Sequence, residues 1–267
     1  MKKKISGGMI VRILIGIVCL TVFAGSVLYL FNYYKDNKES QDNIAKLREM
    51  IVQQPEAEDN ANGPELVEVN GRMVQKKFAE LYAANPDFIG WITIPGTQID
   101  YPVMQSIEDN EYYINRNFEK VWDSSGLPFM DNRCSYTDPV TDNLLIYGHN
   151  MKAGTMFAGI TKYGKEDYYE EHSTLIFSTL ESDDVYEVIA AFPSQVFPEE
   201  DTTSFRYYTF FDANSKEEFD AYVSQVKALT PYNIEATAAY GDTLITLSTC
   251  AYHTEDGRFA LVARKME

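Results

Sequence analysis

Apolar and polar positions divide the chain into three textures. The first is an unbroken apolar run, Ile13 to Phe31 (ILIGIVCLTVFAGSVLYLF), 19 positions without a charge. At about 1.5 Å of rise per residue, such a helix spans the roughly 30 Å hydrocarbon core of a bilayer. The second texture, residues 35–70, is polar and helix-prone. Ser40 suits an N-cap there, with Ile44, Leu47 and Ile51 following at helical spacing. Pro55–Pro64 (PEAEDNANGP) has the composition of a linker. A further amphipathic helix is predicted over Met73–Ala84, with Val74, Phe78, Leu81 and Tyr82 on one face and Asn85-Pro86 as its stop.

From Phe88 onward the third texture is short apolar runs between turns. Trp91–Ile94 precedes Pro95-Gly96, and Gln98–Met104 follows, with Pro102 favouring an edge position. Asn143–Tyr147, Thr174–Leu180, Val185–Phe192, Thr243–Thr249 and Arg258–Lys265 complete the set. Many short strands with few helices predict a mainly β barrel or sandwich. One late helix interrupts them. Ser215 caps it, Glu218 completes a capping box, and Phe219, Tyr222, Val223, Val226 and Leu229 form its apolar face.

Charge changes the picture at the N-terminus. Residues 1–31 carry Lys2, Lys3, Lys4 and Arg12 and no acid; the other residues hold 19 basic and 40 acidic side chains, a net of −21. Positive charge before the apolar run places residues 1–12 in the cytoplasm, 13–31 in the membrane and the rest outside. A cleaved signal peptide is the alternative, although its apolar region is usually only about 7–15 residues. The expected division is then a cytoplasmic N-terminus (1–12), an anchor (13–31), an extracellular stalk (32–72) and a catalytic domain (73–267). So acidic an ectodomain repels nucleic acid and anionic lipid.

Three cysteines are too few for a disulfide scaffold. Cys19 lies in the apolar run, which leaves Cys134 and Cys250, either as a single bridge or as free thiols. Cys250 ends the apolar strand TLITLSTC, where a thiol can project into a site while the strand fixes its position. The competing reading is a buried core cysteine. Of three histidines, His149 directly follows the strand LLIY, His172 sits in the polar stretch EEHST, and His253 lies three residues past Cys250. The strand end favours His149. Arg258 opens the last strand, eight positions after Cys250. If the two strands pair, Arg258 stands beside the thiol, able to stabilise an oxyanion. Otherwise it is a surface cation paired with Asp256 or Glu255. No Cys/His cluster has metal-ligand spacing, and no cofactor is expected.

These residues resemble a known family. Thr246-Leu247-Ser248-Thr249-Cys250 followed by Arg258 looks like the signature of the sortases, cysteine transpeptidases of Gram-positive cell surfaces. Tyr147-Gly148-His149-Asn150-Met151 resembles their histidine motif. Ile99-Asp100-Tyr101-Pro102-Val103, Phe129-Met130-Asp131, Thr155-Met156-Phe157 and Ser248 resemble class B members. The resemblance covers about residues 75–267.

It implies a closed barrel of about eight strands with N-terminal helices and one helix before the penultimate strands. It implies that Cys250 attacks a threonyl carbonyl in a C-terminal sorting signal of a secreted surface protein, with His149 as acid or base and Arg258 on the oxyanion. A peptidoglycan amine then resolves the acyl-enzyme. A pilin lysine or water is the alternative acceptor, and a non-catalytic membrane-anchored binding protein is the remaining reading. Asn110, Ile114 and Ser248 match peptide-binding positions. Thr203, Tyr207 and Tyr208 fall in the loop before the late helix and are expected over the peptide. No calcium site is implied.

Overall fold

The computed structural model describes residues 7–51 and 63–266. All of the linker Pro55–Pro64 except Gly63 and Pro64 lies outside the described residues. Helix α1 runs unbroken from Gly7 to Met50. Its apolar part, with a mean hydropathy of 2.5 over 18 residues, is wholly exposed. Ser40 is no cap. Residues 32–50 contain neither Gly nor Pro, so nothing stops the helix that enters from the apolar run. Ser40 instead joins Asn37, Ile44 and Leu47 on one buried face, at the i, i+3, i+7 spacing that puts side chains over one another. That face packs on the barrel. Asn37 Nδ2 donates to Thr155 Oγ1 at 2.8 Å, and Arg48 pairs with Asp100 at 2.8 Å. Within the expected stalk, residues 37–47 are thus docked on the domain.

The predicted helix over Met73–Ala84 is mostly something else. Strands β1 (Leu66–Val69) and β2 (Arg72–Gln75) form a hairpin. Its turn, Asn70-Gly71, has φ of 52° and 81°, the paired left-handed geometry that Asn-Gly favours. Gln75 is fully buried; its N–H donates to Leu180 O and its Nε2 to Thr179 O. These barrel contacts outweigh the helical pattern, and α2 is confined to Ala79–Ala84 after a 3-10 turn at Lys76–Phe78.

Eight further strands close the barrel: β3 (Phe88–Thr93), β4 (Asp100–Met104), β5 (Phe129–Met130), β6 (Asn143–Tyr147), β7 (Thr174–Thr179), β8 (Asp183–Gln195), β9 (Leu244–Cys250) and β10 (Gly257–Lys265). The order around it is β10-β8-β7-β3-β4-β5-β6-β9. The pairs β4–β5 and β6–β9 are parallel. Closure removes free strand edges. Pro102 faces Trp91 on β3, while β5 reaches β4 only at Met104. The missing N–H therefore costs the ladder nothing on that side.

Short helix α3 (Glu166–Glu171) precedes β7. Helix α4 (Lys216–Leu229) lies between β8 and β9, in the place expected. Ser215 Oγ accepts from Glu218 N, but the return bond is displaced by one residue: Glu218 Oε2 accepts from Asn214 N. Phe219, Tyr222, Val223 and Val226 are buried, whereas Leu229 is exposed in the last turn.

Candidate active site

The parallel pairing of β6 with β9 brings the candidate site residues together. Tyr147 stands opposite Ser248, so both strands end at the same rim of the barrel. His149 follows one strand and Cys250 ends the other. Asn150 Nδ2 donates to Cys250 O at 2.8 Å, and Gly148 N to Ser248 O at 3.0 Å, tying the two ends together. Gly148 is needed for closeness: a Cβ there would meet the Phe157 ring at 2.6 Å.

Across β9 the register sets Arg258 opposite Cys250. Ala251 N donates to Gly257 O, and Gly257 N to Thr254 O, which folds the intervening loop back on itself. A Cβ on Gly257 would lie 2.0 Å from Ala251 O, so only glycine closes this turn. Arg258 Nη1 donates to the carbonyls of Asp256 and Gly257, in place of the carboxylates that the surface reading required.

His149, Cys250 and Arg258 line one cavity of about 380 Å³, within the usual range of small-ligand sites. His149 Nε2 lies 2.7 Å from Ile114 O. A carbonyl only accepts, so Nε2 carries a proton and Nδ1 is the nitrogen left to exchange one. His172 sits elsewhere, its Nδ1 3.1 Å from Pro95 O and its ring against Tyr168. His253 is exposed in the loop after Cys250 and does not line the cavity. The three cysteines are unbridged, which removes the Cys134–Cys250 alternative.

Asn110, Ile114, Tyr207, Tyr208 and Ser248 also line this cavity. Tyr207 OH and buried Ser248 Oγ are 2.7 Å apart. Burial pushes the Tyr207 phenol up to about 12 despite that bond and the nearby Arg258 charge, so it stays a neutral hydrogen-bonding group. Tyr208 OH accepts from Phe197 N, which pins the loop over the cavity. Thr203 is not in the wall. It is exposed, and its N–H and hydroxyl both bond Asp201 Oδ1 at 2.9 Å. That turn draws its side chain away from the cavity.

Glu111, Leu127, Phe129, Arg133, Tyr147 and Val196 complete much of the wall. None of them is singled out by the sequence as a site residue. The acid closing the strand motif Phe129-Met130-Asp131 was the available signal for Arg133 and Tyr147, both of which bond it. A larger hollow of about 900 Å³ lies beyond the 105–112 segment, lined by Arg72, Asp87, Glu108 and Lys120 among others. It contains none of His149, Cys250 or Arg258, which all line the smaller cavity.

A sortase-domain family model matches residues 92–266. The chain belongs to the sortase family. Its relatives place it in class B: sortase B of Listeria monocytogenes is 35% identical over 68% of this chain and 70% of its own length. Sortase B of Staphylococcus aureus is 28% identical over 96% and 95% respectively. Among solved structures, Bacillus anthracis sortase B in complex with AAEK1 superposes with a TM-score of 0.72 at 28% identity, covering 88% of this chain and 99% of that one. The S. aureus sortase B–substrate complex gives 0.71 at 25% identity, covering 87% and 99%. Sortase B complexed with triglycine gives 0.70 at 26%, covering 86% and 99%. The eight-strand barrel with α4 before its last two strands is thus that of a sortase. This sortase is a cysteine transpeptidase of the cell surface, and its N-terminus holds one helix long and apolar enough to cross a membrane.

Proposed function

We propose that this sortase cleaves a C-terminal sorting signal after a threonine and transfers the acyl group to a peptidoglycan amine. The observation that carries this reading is the register that sets Arg258 opposite Cys250, in a cavity shared with His149. The Cys250 thiolate attacks the threonyl carbonyl carbon, and its oxygen becomes an oxyanion facing the Arg258 guanidinium. The bond after threonine breaks. The departing amine takes a proton from His149, leaving a thioester on Cys250. The acceptor amine then attacks the thioester carbon, His149 takes its proton, and the Cys250 sulfur leaves. The sum is one amide exchanged for another, with no change of oxidation state.

Complexes of sortase B relatives with a substrate and with triglycine support a sorting peptide and an amine as partners. Residues 13–31 support a single-pass anchor, and the charge before them supports an extracellular catalytic domain.

Mass spectrometry of the protein with a library of sorting peptides and two kinds of amine tests the reading. We expect the acyl mass on Cys250 and a product carrying the peptidoglycan-type amine. Preference for a lysine side chain would instead make it a pilin-polymerising enzyme. Hydrolysis unaffected by amine concentration would make it a peptidase, and no adduct at all would leave a binding protein.

A further inference from the structure

Beneath the cavity lies a carboxylate that the proposed chemistry does not use. Asp131 ends the β5 segment, its N–H donating to Leu145 O at 2.8 Å, and the residue is fully buried. A buried charge persists only when paired and hydrogen-bonded. Among the described residues, every partner of its side chain belongs to the cavity wall or leads to it. Arg133 grips the carboxylate side-on, Nε to Oδ1 at 2.8 Å and Nη2 to Oδ2 at 2.7 Å, and its own N–H adds a third bond to Oδ1 at 3.0 Å. Tyr147 OH donates to Oδ2 at 3.1 Å. Asn110 Nδ2 reaches the same oxygen at 3.4 Å, while Asn110 Oδ1 accepts from Asn132 N at 2.7 Å.

Arg133, Tyr147 and Asn110 all line the cavity. They reach it from three separate segments: the turn after β5, the end of β6 and the loop after β4. Among the described residues no side-chain hydrogen bond joins the three directly, and the Arg133 guanidinium lies over the Phe211 ring at 4.3 Å. Burial pushes the Asp131 carboxyl up, but the Arg133 bonds and charge outweigh it and hold it below its ordinary value. It is therefore an anion throughout the neutral range. A side-on guanidinium–carboxylate pair fixes the plane of the guanidinium. Nη1 is left free of the carboxylate, available to an acceptor in the cavity.

We propose that Asp131 is a positioning residue for peptide binding, holding Arg133, Asn110 and Tyr147 as one polar wall that receives a hydrogen-bond acceptor of the sorting peptide. The inference rests on the transpeptidase reading above. Its energy lies in binding, so it acts on KM and leaves the reactivity of Cys250 alone.

The test uses the full chain and a fluorogenic peptide cleaved after threonine, with iodoacetamide as a peptide-independent probe of Cys250. Asp131→Asn should raise KM about tenfold with kcat within about twofold. The rate of Cys250 alkylation and its pH profile should not move. Arg133→Met should match it, and Arg133→Lys, which restores the charge without the fork, should fall between. If Asp131→Asn does not fold, Arg133→Lys and Tyr147→Phe decide, since each removes an edge of the network and leaves the carboxylate a cation. Unchanged KM in the folded variants would overturn the inference while leaving the transpeptidase reading intact. So would alkylation falling in step with kcat/KM, which marks a general loss of structure. A native protein that forms no acyl-enzyme with any peptide would end both.

Discussion

Strand β6 has a cysteine on each side. Cys134, just after β5, lies beside its beginning, and Cys250, at the end of β9, lies beyond its other end. The Cys134 sulfur donates to Asn143 O at 3.4 Å and accepts from Leu145 N at 3.3 Å. It is only 5% exposed, and burial pushes its thiol up to about 12. Cys250 is half-buried at a cavity wall, with an arginine across the ladder and a histidine ring on the next strand end. Two residues of one type, separated by the length of a five-residue strand, thus differ in exposure and in charged neighbours, both of which bear on a thiol's reactivity. What separates them is depth. One is almost wholly covered and satisfied by backbone, at the floor of the larger hollow; the other reaches the rim and lines the smaller cavity.

The strongest way to break this contrast is to exchange the thiols' fates. Cys250→Ala should lower peptide turnover about 10⁴-fold or more, while Cys134→Ala keeps it within about twofold; equal losses would erase the distinction. Labelling sharpens it. In a Cys19→Ser background at pH 8, native protein should present one reactive thiol and unfolded protein two. With a pKa of about 12, only about one Cys134 in ten thousand is thiolate at that pH. Next, Arg258→Ala should reduce kcat/KM about 10²–10³-fold, the usual cost of losing an oxyanion donor. An effect below threefold would leave Cys250 without its cationic partner.

The smallest expected effect concerns Cys134 and stability. Its folded pKa is raised, so its contribution is fully present below the unfolded value of about 8.5 and declines as pH rises toward 12. Urea unfolding should therefore show about 1 kcal/mol lost per pH unit from roughly pH 8.5. Cys134→Ala should be flatter over that interval. Identical slopes would mean that this thiol is not shielded as described.

Much of the barrel is legible in the amino-acid order because its strands are continuous apolar runs. TLITLSTC and NLLIY are buried on both sides, so no alternation has to be read. The β9–β10 adjacency follows from a short connection, and with it the Arg258–Cys250 pairing. The neighbourhood of β6 and β9 does not follow, because parallel strands far apart in sequence carry no local sign of meeting. Ser40 misled because a cap is a local preference, and an uninterrupted helix overrode it. Met73–Gln75 misled because Gln75 finds its partners on the barrel; the Asn70-Gly71 turn was the better signal. Thr203 lies outside the cavity for a different reason. Its Asp201 turn is local chemistry, but where a loop side chain points depends on the surface beneath it. Asp131 was visible as a motif and silent as to role, since its three partners come from different segments.

The parallel contact of β6 and β9 has a consequence for timing. Asn150 and the carbonyl it grips at Cys250 are 100 positions apart. Contacts so distant in sequence form slowly, after large loop-closure losses. During synthesis the histidine segment emerges well before the thiol, and neither has its neighbour until the barrel closes. A half-folded chain therefore lacks the grouping of His149, Cys250 and Arg258, which exists only on completion of folding. Assembly of the cavity and closure of the barrel become a single event.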